Sequence, residues 1–508
     1  MRVTPLAIAT ASLFLSGLVS ASGLVSASGL VSAVQAQSNP QPQPFSYDFT
    51  YENELSLRID PDNPDPGLMH DIFERRRARV LEAIPEGAVI VFSVEWVQPR
   101  RLEFQVPDSD NHDFIYLTGL EGLESLNSAL LLLPGEQDED DWVVLFTSED
   151  VERIRALTGI EDVRPYEALE ENLSVAMTDY RDWRVTQIRR WPLPAALSKE
   201  WGRDHKVLYL NYPRFFRLGM PEPERLALFD RFRRFSPEMN LRDAADILDQ
   251  VRMLQDAWAL ACLRRAVEIT TEGVLEGLRA ASVGMTESEV MESVDYVYRY
   301  RGATLGFPTS VQRQPPEGRT PGPHIPEGFI QYVSRSGAEV FQEEDLLHID
   351  TGAAFRHFSA DVQRTVPIRG TLDAEQRRLY EIAMDVQNTV IQMVRPGVTW
   401  WDLHNTADRM LAEAGGYDRY WTYGIGHFIG MEVHDEGDYE VPLMPGMVLA
   451  IEQGVAPPDG PRVAFEDDVL VTEDGYEWLS RTIPLEVADV EAMLRAESKL
   501  AAFTRKER

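Results

Sequence analysis

Four carboxylates lie inside segments that otherwise read as buried strands, and they restrict the fold more than any other feature of the chain. Asp350 sits in "LLHIDTG", Asp361 in "FSADVQRTV", Glu452 in "MVLAIEQG" and Glu466 in "VAFEDDVLV". An ionised carboxylate in an apolar strand is costly unless it is paired or bound to a cation. Few basic residues share these segments, so arginine pairing is a poor way to neutralise all four, whereas a divalent cation does it directly. The alternative is an unrelated set of buried acids. Asp350 and Asp361 are eleven positions apart, too far for one strand face. They fit adjacent antiparallel strands joined through "TGAAFRHF", which would bring both carboxylates to one point.

The stretch "YGIGHFIGMEVHDEGD", residues 423 to 438, adds His427 and His434, seven apart among glycines, with Asp435, Glu436 and Asp438 close behind. Taken alone, these histidines read equally as metal ligands, catalytic partners or polar loop residues. Oxygen ligands with one imidazole suit Mn, Co, Fe or Zn.

The 508 residues, 44% hydrophobic, are enough for two domains with separate cores. "DIFERRRARVLEAIPEGAVIVFS" predicts an amphipathic helix ending before Pro85, then a strand from Ala88 to Phe92. "SALLLLPG", "DWVVLFTS" and "HKVLYLNYP" read as further strands, with the acidic loop "EQDEDD" between the first two. Strands alternating with helices indicate an α/β layer. A long helical region begins near Leu241, with apolar residues at three and four spacing (Ile247, Val251, Leu254, Trp258, Ala261). We place a domain boundary just before it. Residues 312–328, "QRQPPEGRTPGPHIPEG", read as a loop, long enough for a rim or lid and equally readable as a solvent-exposed insertion. Cys262, the only cysteine, excludes an intrachain disulfide and reads as a small core residue.

The N-terminus reads as a secretory signal. Arg2 precedes an apolar stretch from Leu6 to Val19, "SGLVSA" then occurs three times, and small residues at Val34 and Ala36 suggest cleavage before Gln37. The expected location is periplasmic or secreted; an uncleaved membrane anchor is the alternative. The expected divisions are a signal peptide (1–36), a proline-rich linker (37–69), a first domain (70–240), a second domain (241–490) and a charged tail (491–508). A formal net charge of −34 argues against nucleic acid and anionic membrane surfaces as partners.

The ordered motifs are specific. Asp, ten residues, Asp is followed by Gly-x-Gly-His-x-x-Gly-x-x-x-His, by Pro-Gly-Met-x-x-x-x-Glu and by Glu-Asp-Asp-Val-Leu-Val-Thr. Together they resemble the pita-bread metallopeptidases: methionine aminopeptidase, prolidase and aminopeptidase P. "RRRARVLEAIPEGAVIVFS" and "VPDSDNHDFIYLTGL" resemble the N-terminal domain of aminopeptidase P, so the resemblance covers about residues 70 to 487. It implies an α/β (α+β) fold: a creatinase/aminopeptidase P-like α/β domain, then a pita-bread catalytic domain. It implies that Asp350, Asp361, His427, Glu452 and Glu466 bind two divalent metal ions, Mn first among the candidates. Asp361 and Glu466 would bridge them. His434 would not be a ligand but would hydrogen-bond the reacting carbonyl. Water would attack that carbonyl at the metal pair, with Glu452 carrying its proton. The implied substrate is a peptide with proline in second position, and the implied assembly a dimer or tetramer. A same-fold hydrolase of other specificity, such as a prolidase-like dipeptidase, and a non-enzymatic binding protein retaining the fold are the alternatives.

The chain departs from aminopeptidase P at three places. Tyr423 stands where the family has a histidine four residues before the ligand histidine. Gln331, Tyr332 and Val333 cover the position of a second family histidine. Ala464 replaces an arginine, with Arg462 displaced. The two histidines shape the site around the proline-containing substrate; the metal cage is untouched. His348, on the same strand face as Asp350, reads as a core or rim residue, and His324 as a residue of the inserted loop. His357 reads as an exposed turn residue, His112 as part of the first domain and His404 as lying on an exposed helix face.

Overall fold

Asp65 begins the first helix, α1 (Pro66–Ala83), by accepting a hydrogen bond from the Leu68 N–H, and proline occupies the first turn, where its missing N–H costs nothing. The helix stops before Pro85, and the apolar run Ala88–Phe92 becomes β1, buried throughout. The computed structural model describes residues 58–93, 112–135, 141–169, 207–212, 224–235, 239–318, 339–420 and 424–500. The segment read as a signal peptide, most of that read as a linker, "EQDEDD" except its last residue, the middle of the proline-rich loop with His324, positions 331–333, Tyr423 and residues beyond 500 lie outside them.

β1 is central in a six-stranded sheet with β2 (Ala129–Leu133), β3 (Trp142–Thr147), β4 (Asp162–Pro165), β5 (Val207–Leu210) and β6 (Asn240–Asp243), ordered β4-β3-β2-β1-β5-β6. The β1–β2 and β2–β3 pairs are antiparallel and the others parallel. With α1, α2 (His112–Thr118), α3 (Val151–Thr158) and α4 (Glu224–Phe235), this is the α/β layer expected from the sequence.

The stretch read as one helical region from Leu241 is three elements. Leu241 to Asp243 pair with β5, α5 covers Ala245–Arg252 and α6 covers Ala257–Ala280. Asp256 separates the helices because its carboxylate caps α6, accepting from the Ala259 N–H, while gripping the buried Arg76 of α1. The first sheet therefore runs past position 240.

α7 (Glu287–Tyr300) leads to the second half. Its main sheet contains β8 (Ser310–Gln314), β9 (Leu346–Thr351), β12 (Val362–Pro367), β13 (Gly426–Phe428), β14 (Val448–Val455) and β15 (Val463–Val471), in the order β13-β14-β15-β12-β9-β8, with β16 (Tyr476–Trp478) on β15. Every pair in it is antiparallel. A small sheet of β7 (Thr304–Leu305), β10 (Ala353–Phe355) and β11 (Phe358–Ser359) lies beside it. Gln312 to Gln314, read as the start of the loop, instead pair with β9, because their partners continue an unbroken ladder. The apolar sides of α6, α7, α8 (Ala374–Met393) and α9 (Trp400–Glu413) share one core with the main sheet.

A second core joins the halves. Ile72, Val89 and Leu130 belong to the same apolar cluster as Phe358, Ile429, Val448 and Leu470, so the first layer packs against one end of the second sheet. The segment read as a tail from position 491 begins inside α10 (Val487–Leu494). It is held further along where Ser498 Oγ and the Lys499 N–H donate to Glu276 of α6. Among the described residues no helix is long and apolar enough to cross a membrane.

Candidate metal centre

β9 and β12 are antiparallel neighbours, as the spacing of Asp350 and Asp361 requires, with Val362 opposite Thr351 and Gln363 opposite Asp350. The chain between them turns through the β10–β11 hairpin, whose two loop residues, Arg356 and His357, both have positive φ (51° and 70°), as a primed two-residue turn demands. Gly352 makes the return possible, since a Cβ there would lie 1.7 Å from the Ala360 carbonyl oxygen.

Strand register then assembles the rest. Glu466 of β15 is opposite Gln363, and Glu452 of β14 is opposite Glu466. Glu452, Glu466, Gln363 and Asp350 thus form one row across four strands. Directly paired residues share a sheet face, so the row points one way. Asp361 precedes Gln363 by two and joins the same face. His427 arrives from β13, paired with Ala450. Gly426 lets it do so: its φ is 147°, and a Cβ would fall 1.9 Å from the Ala450 carbonyl oxygen.

Asp361, His427 and Glu466 are buried, Asp350 nearly so, and Glu452 is half-buried. His427 Nε2 lies 3.6 Å from Asp361 Oδ2 and 3.4 Å from Glu466 Oε1. Its Nδ1 faces the Phe428 carbonyl oxygen at 3.0 Å. A carbonyl only accepts, so Nδ1 carries a proton, and Nε2, which faces the carboxylates, is the nitrogen that can ligate a metal once deprotonated. Among the described residues, three overlapping groups place ligand atoms within 4.8 Å of one another: Asp350, Asp361 and Glu466; His427, Glu452 and Glu466; and Asp361, His427 and His434.

The electrostatics call for a cation. Asp361 Oδ1 and Glu466 Oε1 are buried without a hydrogen-bond partner. Burial, and then the Glu466 charge, hold the Asp350 and Asp361 carboxyls well above the usual carboxylate range. The same two causes push Glu452 up to about 7. Burial alone would lower the His427 pKa, but Asp361 and Glu466 raise it well above the ordinary imidazole value. Buried carboxylate oxygens without hydrogen bonds, gathered beside an imidazole nitrogen, form a donor set that fits divalent metal.

His434 lies beyond His427, the two rings 4.1 Å apart, with its side chain open to solvent. The surrounding protein and the neighbouring His427 push its pKa down to about 4. The loop carrying it is pinned from the first layer. Arg252, at the end of α5, joins Asp113 of α2 (2.8 Å) to Asp435, next to His434. His112 Nδ1 lies 2.5 Å from Glu432. His112, placed by its sequence in the first domain, is therefore a contact of the His434 loop.

The sequence reading missed Gln363 and Asp468. Gln363 Nε2 donates to Glu466 Oε2 (2.5 Å) and Glu452 Oε2 (3.3 Å). The Asp468 carboxylate accepts the Asp361 N–H at 3.1 Å. Strand period places Asp468, two after Glu466, on the same face, a signal available in "EDDVLV". Arg462 stands two residues before Ala464, just ahead of β15, and its charge lowers the pKa of both Asp350 and Glu452. His348 is buried with Nδ1 3.1 Å from the Thr365 hydroxyl, as a core residue. His357, expected to be exposed, is half-buried with Nε2 2.6 Å from Glu121, because the hairpin tip reaches the first layer. His404 is half-buried beside Trp401. Cys262 is wholly buried, and burial raises its thiol pKa.

Residues 261–473 match metallopeptidase family M24. The chain is 25% identical to the Xaa-Pro aminopeptidase of Escherichia coli over 84% of its own length and 98% of that protein. It is 27% identical to the Xaa-Pro dipeptidase of Pyrococcus furiosus over 52% of its own length and 74% of that protein. The structure of proline aminopeptidase P II from Yersinia pestis superposes with a TM-score of 0.64, covering 84% of this chain and 99% of that one at 22% identity. Sequence motif, register and overall architecture agree: residues 261–473 form a metallopeptidase family M24 domain, and the chain has the pita-bread architecture of aminopeptidase P.

Proposed function

We propose that the protein is a two-metal Xaa-Pro aminopeptidase, removing the N-terminal residue from peptides with proline in second position. The observation that carries this reading is the shared sheet face that brings Asp361 and Glu466, each with a buried oxygen lacking a hydrogen bond, against His427 Nε2. Asp350, Asp361, His427, Glu452 and Glu466 would hold the ions, with Mn first and Co, Fe or Zn as alternatives. Bound there, the ions would polarise the scissile carbonyl and lower the pKa of water. Glu452, a candidate ligand whose side chain is only half-buried, is suited to accept and return a proton at the metal pair. His434 stays neutral and offers a hydrogen bond to the carbonyl oxygen as charge develops there. The reading includes export after cleavage near Ala36 and assembly as a dimer or tetramer.

Kinetics on matched Xaa-Pro and Xaa-Ala tripeptides, with Xaa-Pro dipeptides alongside, test the reading. Higher kcat/KM on the Xaa-Pro tripeptides is expected. Similarity to the Pyrococcus dipeptidase favours a second reading, a dipeptidase, which a preference for the dipeptides would establish instead.

A further inference from the structure

Gln363 is the one neutral side chain in the row that runs from Glu452 to Asp350. Its neighbours across the strands are carboxylates on both sides. The amide is 5% exposed, and its Nε2 donates to one oxygen of Glu466 and, at longer range, one of Glu452. Each carboxylate therefore has one oxygen engaged by an uncharged donor. For Glu466 the remaining oxygen is Oε1, which has no hydrogen bond and lies 3.4 Å from His427 Nε2. Glu466, like Asp361 and His427, belongs to two of the three candidate ligand groups.

We propose that Gln363 is a positioning residue of the metal centre: its amide fixes the orientation of Glu466 and Glu452 and so raises affinity for divalent metal. The inference rests on the two-metal reading above. A carboxylate held by a hydrogen bond on one oxygen arrives already oriented, and losing such a support typically costs about 10–100-fold in metal affinity. Gln363 has two N–H donors, so one amide can serve both glutamates without adding charge to a face already crowded with carboxylates. A lysine or arginine in that position would instead compete with the ions for them.

The test is Mn²⁺ binding to the full chain after chelator treatment, by titration calorimetry and by bound metal per chain, for the wild type and Gln363→Met. Methionine keeps the length of the side chain and removes the donors. About 10–100-fold weaker binding is expected, with an unchanged far-UV circular dichroism spectrum in chelator. Binding as tight as wild type, or tighter, would overturn the inference and make the amide a bystander or a competitor for the carboxylates. Gln363→Asn, with the donor on a shorter stem, gives the same comparison if the methionine variant does not fold. A wild-type chain that binds no divalent metal overturns the two-metal reading itself, which separates the two failures.

Discussion

His434 and His427 sit with their rings 4.1 Å apart, yet their surroundings drive them in opposite directions. Two carboxylates favour a charged or metal-bound His427, whereas His434 has no acid comparably placed among the causes of its shift. This division predicts different losses. His434→Ala should lower kcat by roughly 10²–10³ while bound metal per chain stays constant. Loss of metal in that variant would make His434 a ligand. The five ligand candidates were legible in the sequence because charged residues interrupt apolar strands and their order is distinctive. Gln363 was not, because a single polar residue in a strand is ordinary alternation. Only the non-local register of β12 against β9 and β15 gives its amide a purpose.

At the scale of elements, the end of α5 and the loop after β13 are joined by buried charge. Arg252 is 2% exposed and shared between Asp113 and Asp435. Removing one member of a buried ion pair strands the others, at a cost of about 3–5 kcal/mol. Arg252→Met should therefore destabilise the protein by that order, read from the midpoint of urea unfolding at an unchanged slope. A shift under about 1 kcal/mol would mean that water reaches the pair and compensates. The sequence displayed the helical period on both sides of Asp256 but not the break there. A cap that also binds Arg76, 180 positions earlier, is invisible to any local pattern.

For the whole molecule, the carboxylate cluster makes stability a function of pH and metal together. Asp350, Asp361 and Asp468 are held well above the usual carboxylate range, Glu452 stands near 7, and His427 lies well above the ordinary imidazole value. All five bind protons more tightly folded than unfolded. Their contribution is full below the unfolded pKa values, from about 4 for the acids to 6.5 for the imidazole, and is lost as pH rises through the folded ones. Metal-stripped protein should thus melt at progressively lower temperature from pH 5 to pH 8, while Mn²⁺-loaded protein should not follow that slope. Scanning calorimetry in chelator and in excess metal checks this. Parallel curves would show that the cluster is neutralised by something other than the ion.

The row of side chains across β14, β15, β12 and β9 also bears on how the molecule comes into being. Its members are scattered from position 350 to position 466, so no short segment carries a usable fragment of the centre. Such distant pairings close late, after the entropy of long loops has been overcome. A nascent or partly zipped chain has little to offer a passing ion. Metal uptake should therefore report completed assembly of this sheet, and an ion arriving then would act as a latch on the finished fold.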